Sequence, residues 1–351
     1  MIILKLIFTF LLSFIFIKLI IKHSLKLRLV DIPNERSSHN KITPRGAGIG
    51  FGFAFFISIL LFDYILFLEN WLVFLGIFLV FLVGIFDDHK DASPKAKFYI
   101  IFLATFLLYL DDITISSLGV FFGVDITLWY FALPFTMFAL AGFTNALNLI
   151  DGLDGLAGII SFIILSTFLY IGYIYTDELI INICSVTMIS LLAFFIFNWN
   201  PAKIFMGDSG SLFLGFIISI VAVLSLKYIH PVTVFYIAAL PILDTLIVMV
   251  RRKRKGLSPF TPDKTHIHHI LLNFFEKRVK KTVLFLALMQ TLFSLFGLML
   301  AINSKELGNG FASLSLISFI GINMLFYMIF TGMKRRQNLI EKLTIRKNKK
   351  H

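Results

Sequence analysis

Long apolar runs alternate with short polar connections along almost the whole chain. The runs are about 17 to 22 residues long, which is the length that an α-helix needs to cross a hydrocarbon core of about 30 Å. The pattern therefore predicts an all-α polytopic membrane protein with about eleven transmembrane helices. The predicted spans are residues 2–21, 46–67, 70–86, 97–110, 128–147, 156–176, 179–197, 212–229, 232–250, 282–302 and 311–331.

Basic residues fall on alternate connections between these spans, and their placement tests the span assignment independently of hydropathy. Residues 22–45 contain six Lys and Arg residues, residues 251–281 contain ten, and residues 332–351 contain eight. The connections on the other side contain almost none. By the positive-inside rule the basic side is cytoplasmic, which puts the N-terminus outside and the C-terminus inside. The predicted cytoplasmic loops are 22–45, 87–97, 148–155, 198–211 and 251–281.

Composition agrees with a membrane protein. The chain is 58% hydrophobic and only 15% charged, whereas soluble domains average about 25% charged residues. The formal net charge of +12 lies mainly in the basic loops, where topology explains it, so nucleic-acid binding is not expected and the lipid bilayer is the expected partner. We interpret residues 1–331 as a single integral-membrane domain and residues 332–351 as a basic cytoplasmic tail.

Acidic residues gather at the predicted cytoplasmic ends of the spans rather than at their middles. Asp87 and Asp88 end the third span, Asp151 and Asp154 follow the fifth, and Asp208 precedes the eighth. A single such aspartate is most simply a helix-end charge or an N-cap. Five of them on one side, each within a polar Gly- or Asn-rich segment, indicate a functional site. A transporter would more often bury its ionisable residues near the midplane.

The fifth span also predicts a polar stripe. Asn145, Asn148, Asp151 and Asp154 recur at intervals of three residues, so they form one stripe if the helix continues through them. Such a stripe cannot face lipid.

The segment around Asp208 suggests phosphate chemistry. Asp208 lies between glycines, and a helix follows directly, whose N-terminal amides and positive dipole end suit a phosphate group. An acid beside an anion site implies a bridging cation. Because the ligands would all be oxygens, Mg²⁺ or Mn²⁺ fits better than zinc.

The long loop 251–281 holds a basic run and then His266, His268 and His269. The basic run is most simply a topology anchor. A zinc site is the alternative for the histidines, but the loop has no cysteine and the H-x-H-H spacing matches no common structural zinc site. A polar cover over phosphate groups is the preferred interpretation. For Asp244, just before this loop, an ion pair with a nearby arginine is the simplest interpretation.

Five motifs in order resemble a known family. They are Asp31-Ile-Pro-Asn-Glu-Arg36-Ser-Ser-His39 with Pro44-Arg45-Gly46, Asp87-Asp88 with Pro94-Lys95-Ala-Lys97, Asn145-Ala-Leu-Asn148-Leu-Ile-Asp151-Gly-Leu-Asp154-Gly, Asn198 with Phe205-Met-Gly-Asp208, and Asp244 with Ser258-Pro-Phe-Thr-Pro-Asp263 and His266-Ile-His268-His269. Together they resemble the polyprenyl-phosphate N-acetylhexosamine-1-phosphate transferases, relatives of the phospho-N-acetylmuramoyl-pentapeptide translocase. The His-Ile-His-His loop is similar to that of the N-acetylhexosamine branch. Ala47 departs from the pattern, since glycine often follows Gly46.

The resemblance implies transfer of N-acetylglucosamine 1-phosphate from UDP-GlcNAc to undecaprenyl phosphate with release of UMP. This would be the first membrane step of a cell-envelope glycan pathway, such as that of O-antigen, at a cytoplasm-facing site in the bacterial inner membrane. Mg²⁺, or Mn²⁺, would be the cofactor and Asp208 its ligand. Asp87 and Asp88 would activate or orient the lipid phosphate, with His268 also catalytic. A homodimer is compatible with the resemblance.

The remaining candidate residues would bind the substrates. A first group would shape the nucleotide pocket, with the phenylalanine stacking on uracil: Asn148, Asp151, Asp154, Asn198 and Phe205. A second group would contact phosphates or sugar: Lys97 or Lys95, His266, His268 and His269. Arg36 and His39, in the first cytoplasmic loop, are assigned to the same substrates.

Three alternatives stay open at this point. The donor could be another UDP-N-acetylhexosamine, such as the fucosamine or quinovosamine derivative. A transporter or flippase for the lipid-linked product would need functional carboxylates within spans, where only Asp63 and Asp244 lie. A scaffold without activity would tolerate loss of the acids, yet every carboxylate of the pattern is present.

Overall fold

The computed structural model describes residues 2–32, 42–90, 92–258, 266–304 and 310–348, with backbone alone for residue 338 and residues 340–348. Arg36 and His39 lie outside the described residues. The helices are α1 (Ile2–His23), α2 (Ala47–Phe62), α3 (Tyr64–Glu69), α4 (Trp71–Lys90), α5 (Pro94–Leu110), α6 (Ala132–Ile150), α7 (Leu156–Ile174), α8 (Glu178–Asn198), α9 (Asp208–Ser225), α10 (Pro231–Ile237), α11 (Ala239–Arg254), α12 (Ile267–Phe274), α13 (Val279–Ile302) and α14 (Phe311–Asn348). Two short two-stranded antiparallel sheets are formed by β1 (Val30–Asp31) with β2 (Thr43–Pro44) and by β3 (Ser117–Phe121) with β4 (Val124–Thr127).

The helical content agrees with the predicted class of polytopic all-α membrane protein. Within the described ranges, eight helical segments are long and apolar enough to cross a membrane, and the pair α10 and α11, bent by 88°, would make a ninth. The two other predicted spans, 46–67 and 97–110, coincide with α2 and α5, which have 16 and 17 residues. The count of eleven and the orientation stay predictions.

Helix α9 lies at the centre of the bundle and packs against α2, α4, α6 and α7. From Ser209 to Ser225 every residue except Ala222 is buried, as expected of a helix that is apolar all round. Two glycines let neighbouring helices approach its first turn. A Cβ atom at Gly48 of α2 would lie 2.0 Å from the Gly210 nitrogen, and one at Gly84 of α4 would lie 2.6 Å from the Ser209 Cα atom. The start of α9 is therefore clamped between two helices.

The predicted polar stripe on the fifth span is wrong in one respect, because α6 ends at Ile150. The Gly152 amide turns back to the Ile150 carbonyl at 2.8 Å, and Gly155, with φ of 80°, precedes α7. Asp151 and Asp154 consequently lie in a turn between two helices and not on one helical face. Glycine permits this turn because its backbone adopts positive φ without steric cost.

Asp63, one of the two acids within the predicted spans, is paired at the bundle end farthest from this turn. Its carboxylate lies 2.9 Å from the Lys5 ammonium of α1, and both side chains are largely buried. Asn182 of α8 accepts a further hydrogen bond from Lys5. The pair ties α1 to the break between α2 and α3, so its simplest role is structural.

The last helix runs without a break through the predicted boundary at residue 332 and continues to Asn348. Beyond that boundary Gln337 donates a hydrogen bond to the Ile270 carbonyl of α12 at 2.9 Å. The basic tail thus begins as an extension of α14 that touches the helix carrying the histidines. The division of the chain at 332 stays a prediction.

Candidate active site

A cavity of about 360 Å³ brings together most of the residues singled out from the sequence. Eight of the predicted site residues line it: Asp88, Asn148, Asp151, Asp154, Asn198, Phe205, Asp208 and His269. They come from α4, α6, α8, α9, α12 and the connections between them. Segments far apart in sequence therefore meet at one end of the bundle.

Asp88 holds the start of α9. Its two carboxylate oxygens accept hydrogen bonds from the backbone amides of Asp208 at 2.8 Å and Ser209 at 3.1 Å, and its side chain is almost fully buried. The next two amides, of Gly210 and Ser211, donate to the Gly207 carbonyl. The expectation that a phosphate binds these amides is therefore corrected, because the anion at this helix N-terminus is the Asp88 carboxylate.

Gly207 makes this arrangement sterically feasible. Its φ of 76° and ψ of 168° belong to a region open essentially to glycine alone. A Cβ atom at this position would lie 2.6 Å from both carboxylate oxygens of Asp88. The Gly-Asp sequence is thus needed for the contact between α4 and α9 as much as for the carboxylate of Asp208.

Lys97 joins two of the predicted catalytic acids. Its ammonium lies 2.8 Å from the Asp87 carboxylate and also bonds the Asp208 carboxylate. The same Asp87 oxygen accepts a hydrogen bond from the Ala92 amide at 2.7 Å. Asp87 and Lys97 do not line the cavity themselves, but Lys97 is paired with Asp208, which does.

The turn after α6 is fastened to the turn after α8. The Asn198 side chain accepts a hydrogen bond from the Gly155 amide and donates one to the Ile204 carbonyl, both at 2.8 Å. Asp154 accepts from the Asn200 side chain at 2.8 Å and from the Ala202 amide at 3.0 Å. Asn198 and Asp154 line the cavity, but their hydrogen bonds hold together the two turns that surround it.

Asp151 is different, because its carboxylate makes no hydrogen bond or ion pair with the described residues, although its backbone amide donates to the Asn148 carbonyl at 3.3 Å. Burial raises its pKa to about 7, and the nearby carboxylates of Asp208, Asp88 and Asp154 add to the effect. A carboxylate in such surroundings is stabilised by a cation or by a hydrogen-bond donor from a ligand. Asp151 is therefore the lining residue most open to a bound group.

We expect replacement of Asp151 by asparagine to raise thermal stability, and to raise it more at about pH 7.5 than at about pH 5. Because the folded carboxyl keeps its proton between pH 3.8 and about 7 while the unfolded one loses it, the Asp151 contribution to stability falls as pH rises through that window. Cys184, the chain's sole cysteine, is fully buried, so a thiol-reactive dye reports unfolding. Asp125→Asn, at an exposed hairpin position, serves as the control; an equal gain at both pH values for Asp151→Asn would contradict the expectation.

The histidines lie beside the turn that carries Asp151. A Cβ atom at Gly152 would lie 2.3 Å from the Nε2 atom of His268, whose ring is 2% exposed. Burial and the neighbouring His269 lower the pKa of His268 to about 3, so the ring is neutral. His269 lines the cavity, whereas His266 and His268 lie behind it. The catalytic role assigned to His268 stays a prediction.

Within the part of the chain that the structure describes, Asp244 pairs with a histidine and not with the arginine expected from the sequence. Its carboxylate lies 2.7 Å from the Nδ1 atom of His266 and accepts the Ile267 amide at 2.6 Å. Both side chains are almost fully buried. The partner is a histidine because the loop after α11 returns to that helix, which the sequence alone did not indicate.

Three lining residues with polar side chains were missed among the predicted site residues: Asp31, Arg45 and Ser211. Arg45 donates a hydrogen bond to the Asp88 carbonyl at 2.7 Å, and Ser211 accepts one from the Asn148 side chain at 2.9 Å. Asp31 and Arg45 belong to the first quoted motif, so their place in that motif was the available signal.

A larger cavity, of about 520 Å³, lies at the other end of α7 and α8 and is lined by Tyr170, Tyr173, Ile174, Thr176, Glu178 and Ile181. Its lining contains one carboxylate side chain, whereas the lining of the smaller cavity contains five, Asp31 among them. Perturbed acids in a cleft mark functional sites more reliably than volume does. The smaller cavity is therefore the candidate active site.

Comparison with known proteins gives a matching family profile and several relatives that match most of the chain. The profile of glycosyl transferase family 4 matches residues 70–226, a range that contains Asp87, Asp88, Asp151, Asp154 and Asp208. The chain is 34% identical over 271 residues, 75% of each chain, to the "Probable undecaprenyl-phosphate N-acetylglucosaminyl 1-phosphate transferase" of Bacillus subtilis (strain 168). It is 34% identical over 283 residues, 76% of each chain, to the "Undecaprenyl-phosphate alpha-N-acetylglucosaminyl 1-phosphate transferase" of Salmonella typhi. The corresponding protein of Escherichia coli (strain K12) is 33% identical over 278 residues, 75% of this chain and 74% of that relative.

Proposed function

The chain belongs to glycosyl transferase family 4, and from that premise we propose that it transfers N-acetylglucosamine 1-phosphate from a UDP-sugar to undecaprenyl phosphate, releasing UMP. The resemblance drawn from the five motifs is thereby confirmed. The protein is a phosphotransferase, and its many apolar helices agree with a multi-pass membrane enzyme. The observation that carries the proposal is the cavity in which Asp208 lies beside Asp151 and next to Lys97.

The reaction joins two anions, so their repulsion must be cancelled before the lipid phosphate can attack phosphorus. In phosphoryl transfer this is done by metal ions and cationic side chains. Lys97 supplies one cation at the edge of the cavity, and Arg45 and His269 contribute further donors to its lining. These groups fit a diphosphate better than they fit an uncharged ligand.

A divalent metal fits the acids. No group of three His, Cys, Asp or Glu side chains forms a closed metal site within the described ranges of the chain. Mg²⁺ commonly binds through one or two carboxylates and completes its coordination with substrate phosphates and water. Asp208 would hold the ion with Asp151 beside it, and the absence of hydrogen-bond donors to the Asp151 carboxylate in the described structure supports this assignment. When bound, the ion neutralises the charge that develops on the diphosphate.

The other residues then have separate tasks. Asp88 fixes the backbone that presents Asp208, through the two amides at the start of α9. Asp87 holds Lys97 beside the reacting phosphates, and through Lys97 it would orient the lipid phosphate. Phe205, in the cavity lining, is the candidate to stack on uracil.

The location follows from the sequence pattern and the substrates. Undecaprenyl phosphate is a membrane lipid, and its chain would reach the cavity from the bilayer between helices. The positive-inside rule, applied to the basic loops, supports a position of the cavity end on the cytoplasmic side of the bacterial inner membrane, where a UDP-sugar is supplied.

The test is UMP release by the purified protein, given undecaprenyl phosphate, Mg²⁺ and a panel of UDP-sugars. Release with UDP-GlcNAc that stops on addition of EDTA and returns with Mg²⁺ supports the donor and the metal. Release with only another UDP-N-acetylhexosamine corrects the donor. Folded protein that releases no UMP from any donor overturns the proposed function.

A further inference from the structure

Asp244 lies outside the cavity lining but makes both of its hydrogen bonds to the segment that carries the histidines. One carboxylate oxygen bonds the Nδ1 atom of His266, and the other accepts the amide of Ile267, the first residue of α12. The side chain is 1% exposed. A fully buried carboxylate must receive such donors, because leaving it without them costs several kcal/mol. The start of α12 is therefore bound to α11 at this point.

The contact also caps α12. His266 is the N-cap residue, but its side chain makes no capping bond within its own helix. The Asp244 carboxylate accepts the first amide instead and lies at the positive end of the helix dipole. The start of α12 is consequently fixed by a residue of another helix, 23 positions away in sequence.

Helix α11 is itself held at a defined angle. The 88° bend between α10 and α11 interrupts the helical hydrogen bonds near Ala238. Gln290 of α13 replaces them, because its side chain accepts the Leu240 amide at 3.0 Å and donates to the Ile237 carbonyl at 2.7 Å. Polar groups freed by such a break must find partners inside the protein. Asp244 therefore extends from a helix whose orientation is fixed by these hydrogen bonds.

From α12 the contacts lead directly to the cavity. The ring of His266 stacks on that of His268 with centroids 5.7 Å apart and an interplanar angle of 18°. The His268 and His269 rings lie 4.2 Å apart, and His269 lines the cavity. Displacing His266 would shift this row of rings relative to the turn that carries Asp151.

We propose that Asp244 is a positioning residue which, through His266, holds α12 so that His269 faces the reacting phosphates. In this view His266 is a link between Asp244 and the histidine row and does not touch substrate. The inference rests on the proposed function, because its effect is measured on the transfer reaction.

The test is a double-mutant cycle on UMP release. Asp244→Asn preserves size but leaves a single acceptor oxygen for the two groups that Asp244 now bonds, the His266 ring and the Ile267 amide. We expect kcat to fall about 10- to 100-fold, as is typical when a residue that orients a functional side chain is changed. His266→Ala should cause a similar loss, and Asp244→Asn combined with His266→Ala should be no worse than either alone. His266→Asn keeps a donor close to the Nδ1 position, so it should retain most of the activity. If the kcat losses of the two single variants multiply in the double variant, the link between Asp244 and His266 is wrong. It is also wrong if His266→Asn lowers kcat as much as His266→Ala does.

Two further measurements separate positioning from general damage. The dissociation constant for UMP should stay within about threefold of wild type in Asp244→Asn, because the lining around Asp154 and Asn198 does not contact Asp244. Asp63→Asn changes a largely buried carboxylate, paired with Lys5 at the far end, and should lower thermal stability while leaving kcat unchanged. Loss of UMP binding in Asp244→Asn would mean a collapsed site and would reject the positioning role. A wild-type protein without activity would defeat the proposed function, whereas an active one with multiplying losses would defeat this inference alone.

Discussion

Asp208→Asn is expected to lower kcat for UMP release by about 10³-fold, which corresponds to about 4 kcal/mol of lost transition-state stabilisation. Asparagine has the same shape as aspartate but removes the negative charge that bonds Lys97 and that would hold the metal. The start of α9 should persist, because its amides are bonded by Asp88 and not by the Asp208 side chain. The melting temperature should therefore stay close to that of the wild type.

Two observations accompany this measurement. Asp111→Asn, which alters an exposed carboxylate at the end of α5, should leave the rate unchanged. Binding of Mn²⁺, followed by its paramagnetic resonance signal, should weaken in Asp208→Asn and not in the control. A variant at position 208 that kept more than about a tenth of the activity would show that the metal and Lys97 act through other groups.

Gly207→Ala is expected to reduce both stability and activity, by about 3 kcal/mol or more in unfolding free energy and about 10²-fold in kcat. The added Cβ atom would lie 2.6 Å from both carboxylate oxygens of Asp88, so either the backbone or the buried carboxylate must move. Movement of Asp88 would release the first amides of α9 and displace Asp208. Unfolding followed through Cys184 and UMP release measure the two effects.

Gly123→Ala is the matched control for this substitution. Gly123 also has positive φ, at 81°, but nothing lies within 4 Å of the Cβ atom that alanine would add. Gly123→Ala should lower the unfolding free energy only by the backbone strain, about 1 to 2 kcal/mol, and should leave kcat unchanged. Equal effects of the two substitutions would show that the contact with Asp88 contributes nothing beyond the positive φ.

The histidine loop shows how much of a site a local sequence pattern can predict. The cluster of His266, His268 and His269 was recognisable because three of the chain's eight histidines fall within four residues. The sequence did not indicate that the three histidine rings have different surroundings. His269 lines the cavity, His268 is buried against Gly152, and His266 bonds Asp244. The returning course of the chain, and not residue type, gives each ring its neighbours.

Features with a local cause were accessible from the chain alone. The length and polarity of apolar runs predict membrane helices because each residue meets lipid or water largely independently of its partners. The grouping of Asp87, Asp88, Asp151, Asp154 and Asp208 at one end follows from counting spans, and the ordered motifs were sufficient to recognise the family. Both the membrane class and the family agree with the structure and the relatives.

The tertiary structure determined which polar groups form hydrogen bonds and ion pairs with each other. Asp87 and Asp88 are adjacent, yet one bonds Lys97 while the other caps α9 through amides 120 and 121 residues away. The Asp151 carboxylate in the cavity receives no donor from the described residues, because the bonds that fasten the surrounding turns go to Asp154 and Asn198. A hydrogen bond requires two groups within about 3 Å, and in this bundle the packing of distant helices determines which groups come that close.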